Sequence, residues 1–567
     1  MSKTIAPSVS SEHTRSDWEA LARQALKSDD LDQLTRVTED GIAIPPLFLA
    51  EDAPPVLNDA FSAAASRGWD VLQYIEPQDD AKALNRAILD ELEGGASGII
   101  MTADQNPSLL AKAMDGVYLN AIRLVFDAPL DARAVADVVS DLWKTAGVNA
   151  ADAKASLGMT AFADDKGEIK QSLSFAEDLS GLMPLTQDWL GLRLVTIGGG
   201  KWHRFGLTPA QQIAVGLAEL IAVMRMAEAA GLDLDDVYSS LEFQLAFDAD
   251  LYPGIAKARA FRLLMARVLA SMGVDAADVA ERCHAITADR MLNRIDTDTN
   301  ILRNGTALLA AALSGFGQIT VLPHDWLTGS SAQGRRVARN MHHLLADESQ
   351  LGQVADPAQG SYYIDHLTDA LAMKAWEFFQ EIETKGGLAK ALADGVITAW
   401  ARQANDARQQ QVNRGIRASL GVTLHPMRGA LPKPIIQGIT GQRGGEAREA
   451  SVWEALRLDF HGQTPRCLML DIGQVTGASA AVMTRWFAAT GLDAAMMTAE
   501  DIPSAISILQ SAKPDVLILG GALSKAMLNS DEAQATATRF VASMDVISRD
   551  GPVNFAQLML QIKEALS

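Results

Sequence analysis

Residues 198–204 read "GGGKWHR" and place an amine, Lys201, and an imidazole, His203, two positions apart at the end of an apolar run. Side chains two apart on a strand share a face, so the pair could meet one ligand; a histidine at a strand end also serves as a satisfied structural residue. "RCHAITADR", residues 282–290, offers another cation and imidazole, Arg282 and His284. Their bland reading is an arginine paired with a carboxylate and a core histidine. A third stretch, "DIGQVTGASA" at 471–480, joins an apolar run to a helical-looking segment through a glycine turn, the usual cradle for phosphates and flat cofactors. Position alone does not say whether that cradle holds anything. No metal site is suggested: Cys283 and Cys467 stand far apart without Cys-x-x-Cys or Cys/His spacing and read as reduced, buried thiols. The chain shows no GxGxxG, Walker motif or Ser/His/Asp constellation, and the Gly-rich "GITGQRGGEAREAS" reads as linker.

A chain of 567 residues, 48% hydrophobic and 21% charged, is globular and too long for one compact core. A net charge of -21 argues against nucleic acid or an anionic membrane as a partner, since both reward clustered lysine and arginine. The first twenty residues lack an apolar h-region and an Arg-rich amphipathic pattern, so a cytoplasmic protein is expected. The apolar run 306–323 reaches membrane-spanning length, but its glycines and polar residues read better as a buried helix, a turn and a buried strand.

Those candidate groups need a scaffold. Ser16 and Glu19 form a Ser-x-x-Glu capping box ahead of a short helix. The proline- and glycine-marked "LTRVTEDGIAIPPLFLAEDAPP" then predicts an extended arm, whose Ile42, Ile44, Leu47 and Phe48 need cover from the chain's own body or a second subunit. Eight apolar runs follow, "WDVLQYI", "SGIIMTA", "YLNAIRLVF", "ASLGMTAFA", "LRLVTIG", "SLEFQLAF", "CHAITA" and "FGQITVL", each trailed by enough chain for a helix. That rhythm predicts a (β/α)₈ barrel. Thr368 is expected to cap a helix with the stripe Leu371, Ala372, Ala375, Trp376, Phe379 and Ile382, stopped by Gly386 and Gly387. Beyond a linker, "CLMLD", "DAAMM" and "DVLILGG" alternate with helical stretches, a smaller doubly wound parallel unit. After them "MDVIS" is the one convincing later strand. The expected plan is an arm over 1–65, a barrel over 66–345, a helical linker over 346–432 and a flavodoxin-like domain over 433–567.

Several motifs occur in order. Residues 335–387 carry A-R-N, E-S, D-P, G-S-x-Y-x, L-T-x-x-L and K-A-W; the arm matches L-x-x-x-T-x-x-G-I-x-x-x-P-L-[YF]; and residues 231–268 contain A-K-x-R-A-x-R-x-L. As an ordered set they resemble the cobalamin-dependent methylmalonyl-CoA mutase family. The resemblance implies a barrel that threads an acyl-CoA down its axis and a cobalamin domain whose K-x-G-x-D-x-H-x-x-G turn supplies an imidazole to cobalt. Laid on that pattern, the chain has Asp471 at the Lys, Val475 at the Asp, Gly477 at the His and Ala480 at the last Gly, and no histidine follows His461. Neither valine nor glycine can coordinate cobalt or orient a ligand. Where catalytic chains carry S-G-Y-H-M-Q-E, with Tyr and His facing the acyl group, Gly200 and Lys201 stand. R-x-H-S-Q-T-S-G-W keeps Arg282 and His284 but has Ile286 at the Gln; S-L-H-T-N appears in "QITVL", with Ile319 at the His and Val321 at the Asn; and "SLGMTAFADDKGE" has no counterpart of Q-N-D…K-E…R-N-T.

The resemblance therefore implies a small, non-catalytic subunit of the mutase, an isomerase that converts methylmalonyl-CoA to succinyl-CoA. This chain would bind no cofactor and would pair as a heterodimer with a homologous large subunit that holds adenosylcobalamin. The arm, through Thr38, Gly41, Ile44, Pro46, Leu47 and Phe48, would help clamp that partner, and Arg282 and His284 would line a vestigial CoA path. Two rivals stand beside this reading: an active, divergent acyl-CoA mutase using Lys201, His203 or Tyr74, and a regulatory protein that binds a CoA thioester without reaction.

Overall fold

The computed structural model describes residues 14–52, 54, 68–102, 106–127, 131–165, 168–276, 278–354, 356–435, 448–472, 478–520, 523–530, 539–543 and 554–566. Helix α1 (Arg15–Leu26) opens on a capping box two residues earlier than expected: Thr14 accepts the Asp17 amide at 3.3 Å and Asp17 accepts the Thr14 amide at 2.8 Å. Ser16 sits inside the first turn, its hydroxyl 2.7 Å from that of Thr14, and is not the cap.

The arm folds back on its own barrel. β1 (Arg36–Val37) and β2 (Ala43–Ile44) form an antiparallel hairpin closed at Gly41, whose positive φ of 77° favours glycine. Ile42 and Ile44 pack half-buried on the barrel core, and the Phe48 ring lies 5.1 Å from that of Tyr363. Two acids fasten the hairpin turn. Glu39 accepts Arg408 at 2.9 Å and Arg417 at 2.5 Å, and Arg417 also reaches Glu449 of the C-terminal unit at 2.8 Å. Asp40 accepts the Ala210 amide at a helix N-terminus.

Every one of the eight predicted runs contains a barrel strand: β3 (Asp70–Ile75), β4 (Gly98–Thr102), β5 (Arg123–Asp127), β6 (Lys154–Met159), β9 (Gly191–Gly198), β10 (Leu241–Phe247), β11 (Cys283–Thr287) and β12 (Gln318–Thr320). All pair in parallel and close in the order β10-β11-β12-β3-β4-β5-β6-β9. Such strands are covered on both sides, hence the continuous apolar runs. "ASLGMTAFA" breaks in two, because a register shift between Ser156 and Met159 ends β6 and starts the antiparallel hairpin β7 (Phe162–Asp165) and β8 (Glu168–Gln171). Around the strands lie α2 (Ala81–Glu93), α3 (Leu110–Ala113), α4 (Ala132–Ala146), α5 (Phe175–Asp188), α6 (Gly200–Phe205), α7 (Pro209–Ala229), α8 (Leu234–Ser239), α9 (Leu251–Ser271), α10 (Thr299–Leu313) and α11 (Ala332–His343). The run 306–323 is the end of α10, a turn and β12, as its composition implied. Among the described residues α7 alone is long and apolar enough to cross a membrane, and most of it is buried within the protein.

The linker is α12 (Tyr362–Thr384), α13 (Leu388–Ala393) and α14 (Val396–Asn413). α12 is capped by Ser361, two turns before the predicted cap. Thr368 is instead buried mid-helix, where its hydroxyl donates back to the Ile364 carbonyl at 2.7 Å and accepts from Arg259. The predicted stripe packs on α7 and α9, except that Trp376 is 38% exposed.

The C-terminal unit runs α15 (Ser451–Asp459), β13 (Cys467–Ile472), α16 (Ala478–Ala489), β14 (Ala494–Ala499), α17 (Ile502–Ala512), β15 (Val516–Gly520), α18 (Ser524–Leu528), β16 (Phe540–Ser543) and α19 (Phe555–Leu566). Its parallel sheet has the order β14-β13-β15-β16. The last strand is "FVAS", just before the predicted "MDVIS", which begins at the first residue outside the described ones. Glu454 of α15 docks the unit on the barrel. Its carboxylate accepts the Arg294 amide (2.8 Å) and Nε (2.7 Å) from the β11–α10 segment and both Arg448 nitrogens (3.1 and 2.6 Å).

Candidate functional site

"GGGKWHR" ends as a helix, and this changes its geometry. β9 stops at Gly198 and α6 starts at Gly200, so Lys201 and His203 lie about 200° apart around a helix axis and do not share a face. The glycines are required. A side chain at Gly198 would meet the Gln244 carbonyl at 2.7 Å and one at Gly199 the Gln244 Oε1 at 3.0 Å, and both have positive φ. At Gly200 a Cβ would come within 3.2 Å of Arg204 Nη1 and 3.9 Å of Ile286, so Arg204 takes the room that a larger residue would need.

Lys201 is fully engaged. Its ammonium lies 2.7 Å from Glu219 Oε1 and donates to Thr160 Oγ1 at 2.5 Å. The other oxygen of Glu219, a completely buried carboxylate on α7, accepts the Trp202 indole N–H (3.0 Å) and the Gly198 amide (2.9 Å). One carboxylate thus neutralises the lysine and fixes the strand end and helix start. His203 is 1% exposed with Nδ1 3.3 Å from Gln212 Nε2. Burial, reinforced by Arg290, Lys257 and Arg408, drives its pKa well below the ordinary imidazole value, so it is a neutral structural histidine. Tyr74 donates to Asp127 at 3.1 Å, and burial raises its pKa.

His284 lies in the barrel interior among Gln244, Glu242, Gln318 and Thr320. The Gly200 amide donates to Gln244 Oε1 at 3.0 Å, which turns Gln244 Nε2 toward His284 Nδ1, 3.3 Å away. The other ring nitrogen, Nε2, lies 2.8 Å from Thr320 Oγ1. Glu242 Oε1 stands 3.7 Å from the same Nδ1 as Gln244. Arg282 donates to Asp278 (2.7 Å) and the Ser239 carbonyl (2.9 Å) and lies over Tyr238. Both residues fit their structural readings.

Ile319 is in register with Ala285, which shares a face with Cys283 and with Phe243, packed on Phe261 of α9. It points to the helical layer, and Thr320 is the interior residue of β12. Val321 is buried. Both cysteines are free and buried; burial pushes each thiol up to about 12. Among the described residues no group of three His, Cys, Asp or Glu could hold a metal. Of the arm's candidates, Thr38 and Gly41 shape the hairpin, while Ile44, Pro46, Leu47 and Phe48 line a cavity of about 1330 Å³ between arm, α9 and linker.

Val475 and Gly477 lie outside the described residues, as does most of "GITGQRGGEAREAS", and Ala480 falls in α16. Asp471, at the C-terminal end of β13, is 3% exposed, and neither carboxylate oxygen has a partner among the described residues. Burial raises its pKa. An acid raised in the folded state lowers stability as pH climbs past its unfolded value, so Asp471→Asn should stabilise the chain at pH 7. The gain, read by denaturant titration, should shrink toward zero on acidification.

The sequence profile described as methylmalonyl-CoA mutase matches residues 182–441. A methylmalonyl-CoA mutase small subunit of Streptomyces virginiae is 30% identical, over 93% of this chain and 90% of that protein. A probable small subunit of Mycobacterium bovis is 32% identical over 77% and 74%, and a methylmalonyl-CoA mutase of Escherichia coli is 27% identical over 72% and 64%. With its closed parallel barrel, its smaller parallel sheet and this likeness along nearly its whole length, the chain belongs to the methylmalonyl-CoA mutase family.

Proposed function

We propose that this chain is the non-catalytic small subunit of an adenosylcobalamin-dependent methylmalonyl-CoA mutase, paired in the cytoplasm with a homologous large subunit that does the chemistry. The observation that carries the reading is Lys201: at the position where catalytic chains present a histidine to the acyl group, its ammonium is spent on Glu219 and Thr160. The room beside it, at Gly200, is taken by Arg204.

The C-terminal unit does not fit adenosylcobalamin. Cobalt's lower ligand needs an imidazole held by a second group, and the last histidine, His461, precedes β13 at the opposite end of that strand from the turn. The residue in the lysine's place is a buried carboxyl, Asp471, without a partner among the described residues. The names of the relatives support the pairing: a small subunit implies a large one, and a duplicated fold can keep a complementary face after its own site is lost.

Calorimetry on the isolated chain tests the reading. Neither methylmalonyl-CoA nor adenosylcobalamin should give binding heat, and a one-to-one complex should form on co-expression with a catalytic homologue. Binding of both ligands with turnover would replace it by a divergent mutase, and binding of the thioester alone by a regulatory sensor.

A further inference from the structure

The barrel closes on itself and has no edge, whereas among the described residues β14 of the C-terminal sheet pairs on one side only, with β13. β14 reads Ala-Ala-Met-Met-Thr-Ala, and residues 495–498 are all exposed, Met496 to 46% and Met497 to 44%. Successive strand residues point to opposite faces, so both faces meet solvent together with the unpaired backbone row. Proteins blunt such edges with lysine, proline or a bulge. β14 contains no charge and no proline, and its register with β13 runs unbroken from Ala494 to Ala499. Beside it lies a concavity of about 500 Å³, lined by apolar Leu468, Ala495, Met497 and Pro514 together with Asp493 and Arg466, the latter already paired with Asp515 at 3.4 Å.

We infer that β14 is a docking edge that takes an extended segment of another protein as a fifth strand, apolar in its middle and basic at both ends. Backbone pairing supplies the affinity, and the concavity accepts one apolar side chain. Charge selects the occupant. Exposed Asp493 and Glu500 bracket the strand. Were two copies to pair antiparallel about Met496 and Met497, Asp493 of one would oppose Glu500 of the other, and each chain carries -21. Like charges opposed across a ladder disfavour that pairing. The same two acids favour lysine or arginine at each end of an incoming strand. Arg428, 3.8 Å from Asp493 and mostly exposed, offsets only one of them. This inference is independent of whether the barrel is catalytic.

The test uses the full chain and two fluorescein-labelled peptides, Lys-Arg-Val-Thr-Ile-Val-Thr-Arg-Lys and Glu-Glu-Val-Thr-Ile-Val-Thr-Glu-Glu. By anisotropy at low salt the basic-ended peptide should bind saturably and at least about ten-fold more tightly, because charge pairs at both ends add to the backbone ladder. It should also slow amide exchange across 494–499. Met497→Asp, and separately the double change Asp493→Lys with Glu500→Lys, should each weaken it at least about ten-fold; all three positions are exposed, so the fold should survive. Equal affinity for the two peptides, absence of binding, or no protection of 494–499 would overturn the inference. So would sedimentation showing a homodimer that Met497→Asp dissolves, since a second copy would then be the occupant.

Discussion

Replacing Glu219 by alanine should lower the unfolding free energy by about 3–5 kcal/mol, the cost of removing one partner of a buried ion pair. The loss is large because the Lys201 ammonium loses its counter-charge while the Trp202 indole and the Gly198 amide lose their acceptor; the lysine keeps only Thr160 Oγ1, and the Thr160 hydroxyl falls back on the Phe162 carbonyl. Lys201→Met should cost less, since Glu219 keeps the indole, amide and hydroxyl and the lysine side chain is 12% exposed. Combining Lys201→Met with Glu219→Leu should be milder than the sum of the single changes, because an apolar pair of similar volume leaves no unpaired charge. Urea titrations of the single and double variants read all of these values. If Glu219→Ala were within about 0.5 kcal/mol of the parent, the carboxylate would not be organising this corner of the barrel.

Glu454→Ala should detach the C-terminal unit from the barrel. The carboxylate is completely buried between Arg294 of the barrel segment and Arg448, and without it two guanidinium groups face each other with no anion between them. A penalty of about 3–5 kcal/mol is expected again. It should appear in calorimetry as two separated unfolding transitions where the parent shows a more coupled one, with faster proteolysis near residue 448. The same carboxylate predicts acid lability. Burial alone would raise its pKa, but the hydrogen bond and charge of Arg448 and the charge of Arg294 hold it below the ordinary value. A depressed folded pKa contributes stability at neutral pH that disappears as pH falls through that value, so acid should separate the two units of the parent as the mutation does at pH 7.

The architecture was legible because parallel barrel strands are buried on both sides and announce themselves as apolar runs; each of the eight runs holds a strand. Boundaries were read less well where a hydroxyl could play two parts. Thr368 has the chemistry of a cap, but Ser361 lies where the chain enters the helix, and Thr368 is left to bond Ile364 and Arg259. At the site, the composition of "GGGKWHR" was informative and its conformation was not, since paired positive-φ glycines turn a strand into a helix without altering the residue types. Glu219 was missed, although a lone acid in "AQQIAVGLAELIAVM" is a signal: a charge on an all-round apolar helix needs a buried cation. The direction of Ile319 was not legible for a different reason. Its neighbours settle which face it takes, and that depends on register across three strands.

Arg417 contacts Glu39 near the start of the chain and Glu449 near the start of its last unit. One guanidinium thus staples two regions separated by some four hundred residues of sequence. Clipping the arm would therefore be felt far away, as a loosened grip on the terminal module, even with every barrel strand still in place.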